Sequence, residues 1–454
     1  MSERTASSPQ AGALSVGDEI ELEITGIAHG GVCVARHEGR VVFVADAIPG
    51  ERVLARVTDA KKKSFARAIV LEVLEASPDR RPHVWAEASV ERAPEERAGG
   101  AEFGHIALAR QRRLKAEVLV DSMQRFGGIE LAAGEDDDAE TKAEFEALLD
   151  ELVEAVPGDD ERNGLGYRTR VRLHVDPETG AVGPYAARSR NIVPVQSLPL
   201  ATDSLNQLAP LEESMLGVDS IDLVDPAGDD SRMLITAEGK RNGESDAMQE
   251  LVEDRGFTVR AGGFWQIHDL APVVLFNAVR DSIAELAEDG LVDATATNLD
   301  LYGGAGLLAA AMAEAVGPNI KVTTVEAESA ATDDAAENLS ELVGAMAITA
   351  KVDKYLAELL EAAPTVRERI TRGTVVLDPP RSGAGGHVSE QLVKLSPRNI
   401  IYVACDPVAL ARDTRTLTDQ GYDLIELRGF DIFPHTHHFE TMAVFTRQEE
   451  EAGE

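Results

Sequence analysis

The sequence contains few cysteines, few aromatic residues and no long apolar run. Its 454 residues include 2 cysteines, and aromatic side chains make up 4% of the chain. Two cysteines cannot form a disulfide scaffold, and such a low number is typical of proteins from a reducing cytoplasm. Neither a signal-peptide core nor an apolar run of about 18 residues is present, so we expect a cytoplasmic, non-membrane protein.

Basic residues are also scarce, with 44 against 80 acidic residues and a net charge of −36. Such a charge keeps a protein soluble and at first argues against a polyanionic partner. The acids are clustered, however, in an insertion at residues 134–161 and in a tail at 449–454. A basic surface that binds RNA is therefore not excluded. The first 14 residues are expected to be disordered.

Residues 15–75 show an all-β pattern of five short runs separated by turns such as Gly30-Gly31 and Pro49-Gly50. Five short strands in so few residues predict a small OB-like barrel, a fold that often binds nucleic acid. Lys61, Lys62 and Lys63 form the tip of one turn and are candidate RNA contacts. A barrel with only a structural role is the alternative interpretation.

Residues 76–261 are predicted to form a central α+β domain that faces RNA. The run Tyr167–Val175 alternates strictly, which places Arg168, Arg170 and Arg172 on one face of a strand. A solvent-facing sheet surface with this charge could bind the RNA backbone. An ordinary amphipathic strand would show the same alternation.

From residue 262 to 448 strand-like and helix-like segments alternate, which predicts an α/β fold with a doubly wound sheet. One strand ends at Asp300 and is followed by Gly303, Gly304 and Gly306 and an alanine-rich helix. Such a loop lets a ligand approach the backbone closely and favours negative charge at the helix start. Glu326, at the end of the next strand, could bind ribose hydroxyls. The loop also fits a dinucleotide, so it does not by itself identify the cofactor.

Two further strand ends carry chemistry. In TVVLDPPRSG, Asp378 comes before two prolines that make a rigid wall beside the pocket. In NIIYVACDP, Cys405 follows a buried strand, at the carboxyl edge where open α/β sheets place their sites. A lone cysteine is otherwise often a small buried apolar residue.

The order of the motifs DLYGGAG, TTVEAE, LDPPRSG, YVACDP, ARDTRTL and FDIFPHTHHFE resembles the RNA 5-methyluridine methyltransferases. These enzymes use S-adenosylmethionine (SAM) to methylate uracil in tRNA or rRNA. The resemblance covers Gly262 to Arg447, and the barrel at the start resembles the TRAM domain of the same family. It implies a Rossmann-like class I methyltransferase domain at 262–448.

The resemblance also assigns roles to individual residues. Gln266, Tyr302, Glu326 and Asp378 match the positions that bind SAM. Asp353, which is predicted to end the AITAKVD strand, is a candidate neighbour of the adenine. Cys405 matches the nucleophile that adds to C6 of uracil, and Glu440 matches the base that removes the C5 proton. Because C5 of uracil is a weak nucleophile, thiolate addition at C6 is needed to make C5 enolate-like. The target base would have to leave its stack to reach the cysteine.

Three departures from the family pattern stand out. Residues 76–105 contain no cysteine, so the iron–sulfur cluster that many members hold there is not expected. Asp406 stands beside the nucleophile where the family usually has asparagine, and Gly303 stands where it usually has cysteine. A charge at Asp406 would disfavour the thiolate unless its side chain points away.

We therefore expect a monomeric SAM-dependent RNA (uracil-C5)-methyltransferase, with rRNA favoured over tRNA because of the TRAM-like barrel. No metal site is expected, since His435, His437 and His438 lack typical ligand spacing. An RNA-binding protein with a decayed catalytic domain is one alternative, which the presence of both Cys405 and Glu440 disfavours. An NAD-dependent oxidoreductase is a second alternative, but it does not explain the DPPR and cysteine motifs.

Overall fold

The computed structural model describes residues 14–131 and 138–448. The predicted disorder of the first residues, part of the acidic insertion and the acidic tail at 449–454 lie outside these described residues. Within them, no helix is both long enough and apolar enough to cross a membrane.

The chain separates into two compact units, which we describe individually. The first contains residues 1–111, 185–193 and 435–437, and the second contains 112–184, 194–434 and 438–454. The domain limits predicted from the sequence at residues 75 and 261 coincide with neither cut and stay a prediction.

The first unit contains the predicted barrel. Its five strands close in the order β1-β2-β3-β5-β4, and they are β1 (Glu19–Ala28), β2 (Val32–His37), β3 (Arg40–Ala45), β4 (Arg52–Asp59) and β5 (Phe65–Glu75). Alternate residues such as Leu22, Val42 and Val53 point inward and are buried, as the two-residue period of a strand requires. The predicted OB-like fold is confirmed.

A stacked histidine pair lies in the cysteine-free stretch of this unit. The rings of His83 and His105 are 6.1 Å apart. Nδ1 of His83 accepts the Trp85 N–H (3.0 Å), so Nε2 carries the proton and donates to the Ala101 carbonyl (3.1 Å). Burial lowers the pKa of His83 to about 4, which makes it a neutral packing residue at physiological pH.

In the second unit, three groups of strands follow. A short strand β6 (Val153–Ala155) belongs to the large sheet described below. A five-stranded sheet has the order β11-β10-β9-β7-β8, with β7 (Arg170–Val175), β8 (Val182–Gly183), β9 (Ser220–Val224), β10 (Arg232–Ala237) and β11 (Lys240–Arg241). A separate hairpin joins β12 (Ala247–Val252) to β13 (Arg255–Arg260).

The large sheet has eight strands in the order β16-β15-β14-β17-β18-β20-β19-β6. Its members after β6 are β14 (Asn298–Leu301), β15 (Val322–Glu326), β16 (Ala345–Thr349), β17 (Thr374–Leu377), β18 (Asn399–Ala404), β19 (Tyr422–Asp431) and β20 (Glu440–Arg447). The first five in this order are parallel, and β18 pairs with β20 in antiparallel fashion. Strands β14, β17 and β18 are buried throughout, as expected for a sheet covered by helices on both faces.

The α-helices of the described residues are α1 (Leu108–Ser122), α2 (Ala139–Glu151), α3 (Asp203–Leu208), α4 (Ala271–Glu288), α5 (Leu307–Val316), α6 (Ser329–Asn338), α7 (Val352–Leu360), α8 (Pro364–Thr371), α9 (Gly385–Leu395) and α10 (Pro407–Thr418). The alternation predicted after residue 262 is confirmed, and the α/β fold with it. Helices α3 and α8 were not predicted, because each is a short polar segment without a clear apolar period.

The acidic insertion is not simply a solvated surface. Helix α2 and the residues after β6 provide partners for arginines of α1: Arg112 bonds Asp160 (3.0 Å), and Arg113 bonds Asp150 (2.5 Å) as well as Glu146. Part of the charge excess is thereby neutralised inside the second unit.

Candidate active site

The carboxyl ends of β14, β17 and β18 bring the predicted catalytic groups to one edge of the sheet. Leu301 pairs with Leu377, and Leu377 with Tyr402. Asp378 directly follows the last residue of β17, and Cys405 directly follows the last residue of β18. This confirms the predicted placement of both side chains at the carboxyl edge.

Glu440 reaches the same edge from β20. Ala404 pairs with Thr441 at the end of the ladder, and Cys405 and Glu440 are the residues that adjoin this last pair. The Thr441 hydroxyl also donates to the Ala404 carbonyl (2.7 Å) and fixes this end of the ladder. The Glu440 side chain is buried.

Burial and mutual repulsion dominate the electrostatics of the site. Burial, followed by the charges of Glu440 and Asp378, raises the pKa of the Cys405 thiol to about 12. Burial raises the pKa of Asp378 to about 7, and burial together with Asp378 also raises the pKa of Glu440. Arg381 acts in the opposite direction on Cys405 and Glu440. The site therefore holds protons at neutral pH that isolated carboxyls would have released.

The main interaction of the Asp406 carboxylate is with helix α10 and not with the neighbouring Cys405 thiol. Its carboxylate caps helix α10 by accepting the N–H of Ala409 (2.9 Å). Among the charges that raise the pKa of Cys405, Asp406 is a smaller contributor than Glu440 or Asp378. An aspartate serves as a helix N-cap about as well as the asparagine that is usual in the family.

Two of the predicted SAM residues, Tyr302 and Glu326, lie at the carboxyl ends of β14 and β15, beside the glycine turn that joins β14 to α5. Leu301 pairs with Val325, so Tyr302 and Glu326 follow directly in adjacent strands. One oxygen of Glu326 accepts the Gly304 N–H (3.3 Å), and the other accepts the Ala327 and Glu328 N–H groups (2.6 and 2.9 Å). Tyr302 adopts φ +61, an uncommon conformation for a residue with a side chain and one that marks functional turns.

Two neighbouring glycines of this turn differ in their surroundings. A Cβ on Gly303 would lie 1.9 Å from the Thr324 hydroxyl and 2.4 Å from Asp300, whose carboxylate accepts that hydroxyl (2.8 Å). A Cβ on Gly304 would meet nothing within 4 Å. Gly303 is therefore required by the Asp300–Thr324 bond, while Gly304 borders open space in which a ligand could lie against the backbone.

Among the described residues, the second Asp300 oxygen is buried and has no hydrogen-bond partner, and burial raises the pKa of this carboxyl to about 6. An unpaired buried acceptor next to an open glycine turn and the Glu326 carboxylate fits a ligand that carries ribose hydroxyls and an amino group.

The prediction for Asp353 is wrong in its local structure. The sequence predicted that a strand ends at this residue, but β16 ends at Thr349 and Asp353 lies in the first turn of α7. An acidic side chain is favoured there by the helix dipole. Its role near the adenine stays a prediction.

Gln266 is buried, and an arginine predicted to bind RNA supports the segment before it. Arg170 donates to the Gly263 carbonyl (2.7 Å) and lies 3.7 Å from Glu250, with only 14% of its side chain exposed. The predicted solvent-facing position is therefore wrong for Arg170. Because the neighbouring hairpin supplies a buried acid, this side chain turns inward.

The other two arginines of the predicted basic face are also engaged. Arg172 bonds Asp222 (2.7 Å), which also accepts Arg241 (2.7 Å). The guanidinium of Arg168 lies 5.9 Å from the Tyr167 ring centroid. The positive charge of this face is thus largely balanced, and RNA binding by Arg168 and Arg172 stays a prediction.

Lys61, Lys62 and Lys63 belong to the first unit and are exposed at the turn between β4 and β5. Arg40 holds this turn through the carbonyls of Ala60 (2.9 Å), Phe65 (2.8 Å) and Lys62. Within the described parts of the chain, none of the three lysines takes part in an ion pair.

The sequence does not reveal one supporting pair, Tyr402 and Asp413. Tyr402 donates to Asp413 (2.7 Å) and accepts the Ala384 N–H (2.7 Å), while Asp413 also accepts the Gly385 N–H (3.1 Å). These bonds fix the loop that follows Asp378 and Arg381. The ARDTRTL motif contains Asp413, so the motif was visible although its partner was not.

No group of three or more histidine, cysteine, aspartate or glutamate side chains is arranged to hold a metal ion within residues 14–131 and 138–448.

Comparison with known proteins agrees with this geometry. Residues 13–71 match the family model of the TRAM domain, and residues 277–448 match that of tRNA (uracil-5-)-methyltransferase. An RNA methyltransferase from Streptomyces avermitilis is 35% identical over 94% of this chain and 98% of its own. One from Bifidobacterium longum is 33% identical over 94% of this chain and 97% of its own.

Among solved structures, the tRNA (uracil-54, C5)-methyltransferase of Pyrococcus abyssi in complex with S-adenosyl-L-homocysteine is similar with a TM-score of 0.64. The likeness covers 94% of this chain and 100% of that one, at 18% sequence identity. It supports the same fold over nearly the whole chain.

The Asp378→Asn variant is expected to be more stable than the wild type at pH 8 by at least about 1 kcal/mol, the value of one pKa unit. The folded-state pKa of Asp378 lies near 7, above its ordinary value of 3.8. The folded protein therefore keeps a proton that the unfolded chain loses, and stability falls as pH rises from about 4 to 7. Free energies of unfolding from urea titration at pH 4 and pH 8 test this.

Asp293→Asn serves as the control of opposite sign. Bonds from Thr295 lower the pKa of Asp293, so its contribution to stability is present above the ordinary pKa and is lost at acidic pH. This variant should be less stable than the wild type at pH 8. If Asp378→Asn is also less stable than the wild type at pH 8, the charged form of Asp378 does not lower the free energy of unfolding.

Proposed function

Because the chain belongs to the family of SAM-dependent RNA methyltransferases, we propose that it methylates C5 of a uridine in structured RNA through a covalent bond between Cys405 and C6. The observation that carries the proposal is that Cys405 and Glu440 adjoin the last residue pair of β18 and β20, Ala404 and Thr441, with Asp378 directly after the adjacent strand β17. We further propose that it acts as a monomer in the cytoplasm.

The methyl donor would be held at the glycine turn that joins β14 to α5, beside the end of β15. Glu326 has the carboxylate for ribose hydroxyls, Tyr302 and Gln266 would contact the rest of the molecule, and Gly304 leaves the space. SAM supplies a methyl group on a sulfonium, an electrophile that an enolate-like carbon can attack.

The raised pKa of Cys405 determines how the first step proceeds. At neutral pH the residue is a thiol, so its proton must leave as the sulfur–C6 bond forms. Asp378 is suited to accept this proton, since its pKa near 7 is close to the working pH. The electrons of the C5–C6 double bond would move to make C5 nucleophilic, and C5 would take the methyl group that SAM supplies as the sulfonium–methyl bond breaks and leaves a neutral thioether.

Glu440 completes the reaction. After methyl transfer C5 carries both a proton and the methyl group, and the Glu440 carboxylate takes the proton. The C5–C6 double bond re-forms as the sulfur–C6 bond breaks, and Cys405 leaves as a thiolate that regains a proton. The raised pKa of Glu440 makes its carboxylate a stronger base than an exposed glutamate.

We propose that the barrel contributes RNA binding through a patch that we call the barrel patch, formed by Lys61, Lys62, Lys63, Phe65 and Arg67. Phe65 packs edge-to-face on the Phe43 ring at 5.5 Å, and the Arg67 guanidinium lies 5.9 Å from the Phe65 centroid. Arg67 and the lysines have no ion-pair partner in the described portion of the chain. Exposed cations beside a partly exposed ring suit phosphates and an unpaired base.

The barrel patch is the reason to favour rRNA over tRNA, since a second RNA-binding module suits a large substrate. The Pyrococcus neighbour, named for uracil-54 of tRNA, keeps tRNA as the other candidate.

Deletion of the gene should abolish one site of 5-methyluridine in rRNA and leave tRNA unchanged. The measurement is mass spectrometry of separate digests of tRNA and rRNA. Wild-type complementation should restore the nucleoside, whereas Cys405→Ala should not, because no C6 bond can form. Loss in tRNA alone would overturn the rRNA assignment, and unchanged levels in both pools would overturn the proposed reaction unless another enzyme is redundant.

Replacing Lys61, Lys62 and Lys63 by alanine should weaken RNA binding and reduce the slope of log affinity against log salt by up to about 2 to 3, at roughly 0.7–0.9 per lost phosphate contact. Phe65→Leu should weaken binding by about 1–3 kcal/mol, the value of a stacked base, without changing the slope. Filter binding at salt concentrations from about 50 to about 300 mM measures the affinity for RNA and the slope of its salt dependence.

Arg52→Ala is the matched control on the same barrel, because Arg52 already bonds Glu21 and Glu75. It should leave the slope unchanged. A triple-lysine variant with the wild-type slope would show that the barrel patch does not contact phosphates.

A further inference from the structure

The segment that leads into Glu440 is held by buried side chains that the reaction itself does not use. Lys115 of α1 bonds the Asp431 carboxylate and donates to the Phe433 carbonyl (3.2 Å). Tyr167 donates its hydroxyl to the Pro434 carbonyl (2.9 Å). Lys115 and Asp431 are each 1% exposed, and Tyr167 is fully buried. Three successive points of one connection are thereby tied to other parts of the second unit.

This arrangement costs energy that simpler packing would avoid. Burial lowers the pKa of Lys115, and the charge of Asp431 acts in the opposite direction. A buried ion pair is often no more stable than apolar residues of the same size, whereas removal of only one partner is strongly destabilising. Stability alone is therefore a weak reason for Lys115 and Asp431 at these positions.

Their location suggests what the arrangement provides. Phe430 of β19 pairs with Glu440 of β20. Asp431 directly follows Phe430, so it lies next in the chain to the partner of the proposed base Glu440. Immediately after Pro434, His435 has φ +63, a conformation that residues with side chains adopt only when their surroundings enforce it. The bond from Tyr167 fixes the carbonyl just before this strained residue.

Tyr167 also contacts the segment on the cofactor side. Its ring stacks on His268 with centroids 4.9 Å apart, and His268 lies two residues after Gln266. Nε2 of His268 faces Asp159 (3.1 Å), and the Leu270 N–H points to Nδ1 (3.0 Å). One tyrosine therefore contacts both the chain that follows Gln266 and the chain that leads to Glu440.

We propose that Lys115 and Tyr167 are positioning residues for Glu440, an inference that rests on the proposed function. They keep the Glu440 carboxylate where it can take the C5 proton. Proton removal from carbon demands close placement of the base, and a displacement of about 1 Å can reduce the rate about 100-fold. Neither residue is assigned contact with RNA or SAM.

The test compares two tyrosines that make the same kind of bond. Tyr422 is also buried and donates its hydroxyl to a proline carbonyl, that of Pro397 (2.7 Å), which precedes β18 at the opposite edge of the sheet. Tyr167→Phe and Tyr422→Phe each remove one hydroxyl and leave one carbonyl unpaired, and Tyr167→Phe also removes a longer bond that the hydroxyl accepts from Nε of Arg168 (3.4 Å). Their losses of stability should be similar, because each variant leaves one buried carbonyl without its donor, so a loss of stability cannot by itself explain a difference in catalysis.

We expect Tyr167→Phe to lower kcat by about 10- to 100-fold while KM for SAM and RNA changes little. The RNA is the pool that lost 5-methyluridine in the deletion strain, purified from that strain. Because removal of the C5 proton would be slow, the Cys405–RNA adduct should accumulate as a band stable on a denaturing gel. Tyr422→Phe should show wild-type kcat and no added adduct.

Glu440→Gln separates failure of this inference from failure of the proposed function. If Glu440→Gln accumulates the adduct and Tyr167→Phe behaves like Tyr422→Phe, the positioning role of Tyr167 is wrong while the reaction stands. If Glu440→Gln forms no adduct and keeps its activity, the proposed role of Glu440 is wrong and the inference fails with it.

The double variant Lys115→Met with Asp431→Leu tests the ion pair. Replacement of both partners by apolar side chains should leave the protein folded, as judged by its melting temperature. A folded double variant with reduced kcat and accumulated adduct supports positioning by Lys115. A folded double variant with wild-type kcat would show that the pair serves packing alone.

Discussion

The constraint on which the site depends is the burial of carboxyl groups beside a thiol. Asp378 and Glu440 approach Cys405 from two different strands, and each raises the pKa of that thiol. In a medium of low polarity the charged forms of these groups repel one another, so protons are retained at neutral pH. The proton retained by Cys405 has to leave as sulfur attacks, and a carboxyl with a raised pKa is a stronger base for this proton, or for the one on carbon, once it has lost its own. Unfavourable burial and the proposed chemistry therefore have the same physical origin.

The acidity of the chain is distributed according to what it contacts. Around α1, glutamates and aspartates of the insertion bind Arg112 and Arg113, so those arginines are not available to a phosphate. On the barrel, in contrast, Arg67 and its neighbouring lysines lie beside aromatic rings and have no acid partner within the described residues. A strongly negative protein can thus present a local positive surface, because at physiological salt an exposed charge acts over about 8 Å.

Local patterns in the sequence were sufficient to predict the barrel, the alternation of strands and helices, and the strand ends that carry Asp378 and Cys405. Two-residue periods and turn residues determine such features within a few positions of the chain. The failures have another character. Arg170 points inward because Glu250 of a separate hairpin lies beside it. Asp353 lies in the first turn of a helix where the end of a strand was expected. Lys115 and Asp431 are separated by 316 positions, a distance at which no period or motif carries information.

The two departures from the family's usual residues beside the site have local explanations of the same kind. Asp406 uses its carboxylate to cap α10, so its charge interacts with the first turn of that helix as well as with the thiol. Gly303 has no room for a Cβ, since the Thr324 hydroxyl and the Asp300 carboxylate fill that volume. A cysteine at position 303 would require the Asp300–Thr324 bond to move, and Asp300 would then change the charge environment of Asp378. The residue at position 303 is therefore coupled through Asp300 to the carboxyls of the active site, although it lies in the turn that faces the cofactor.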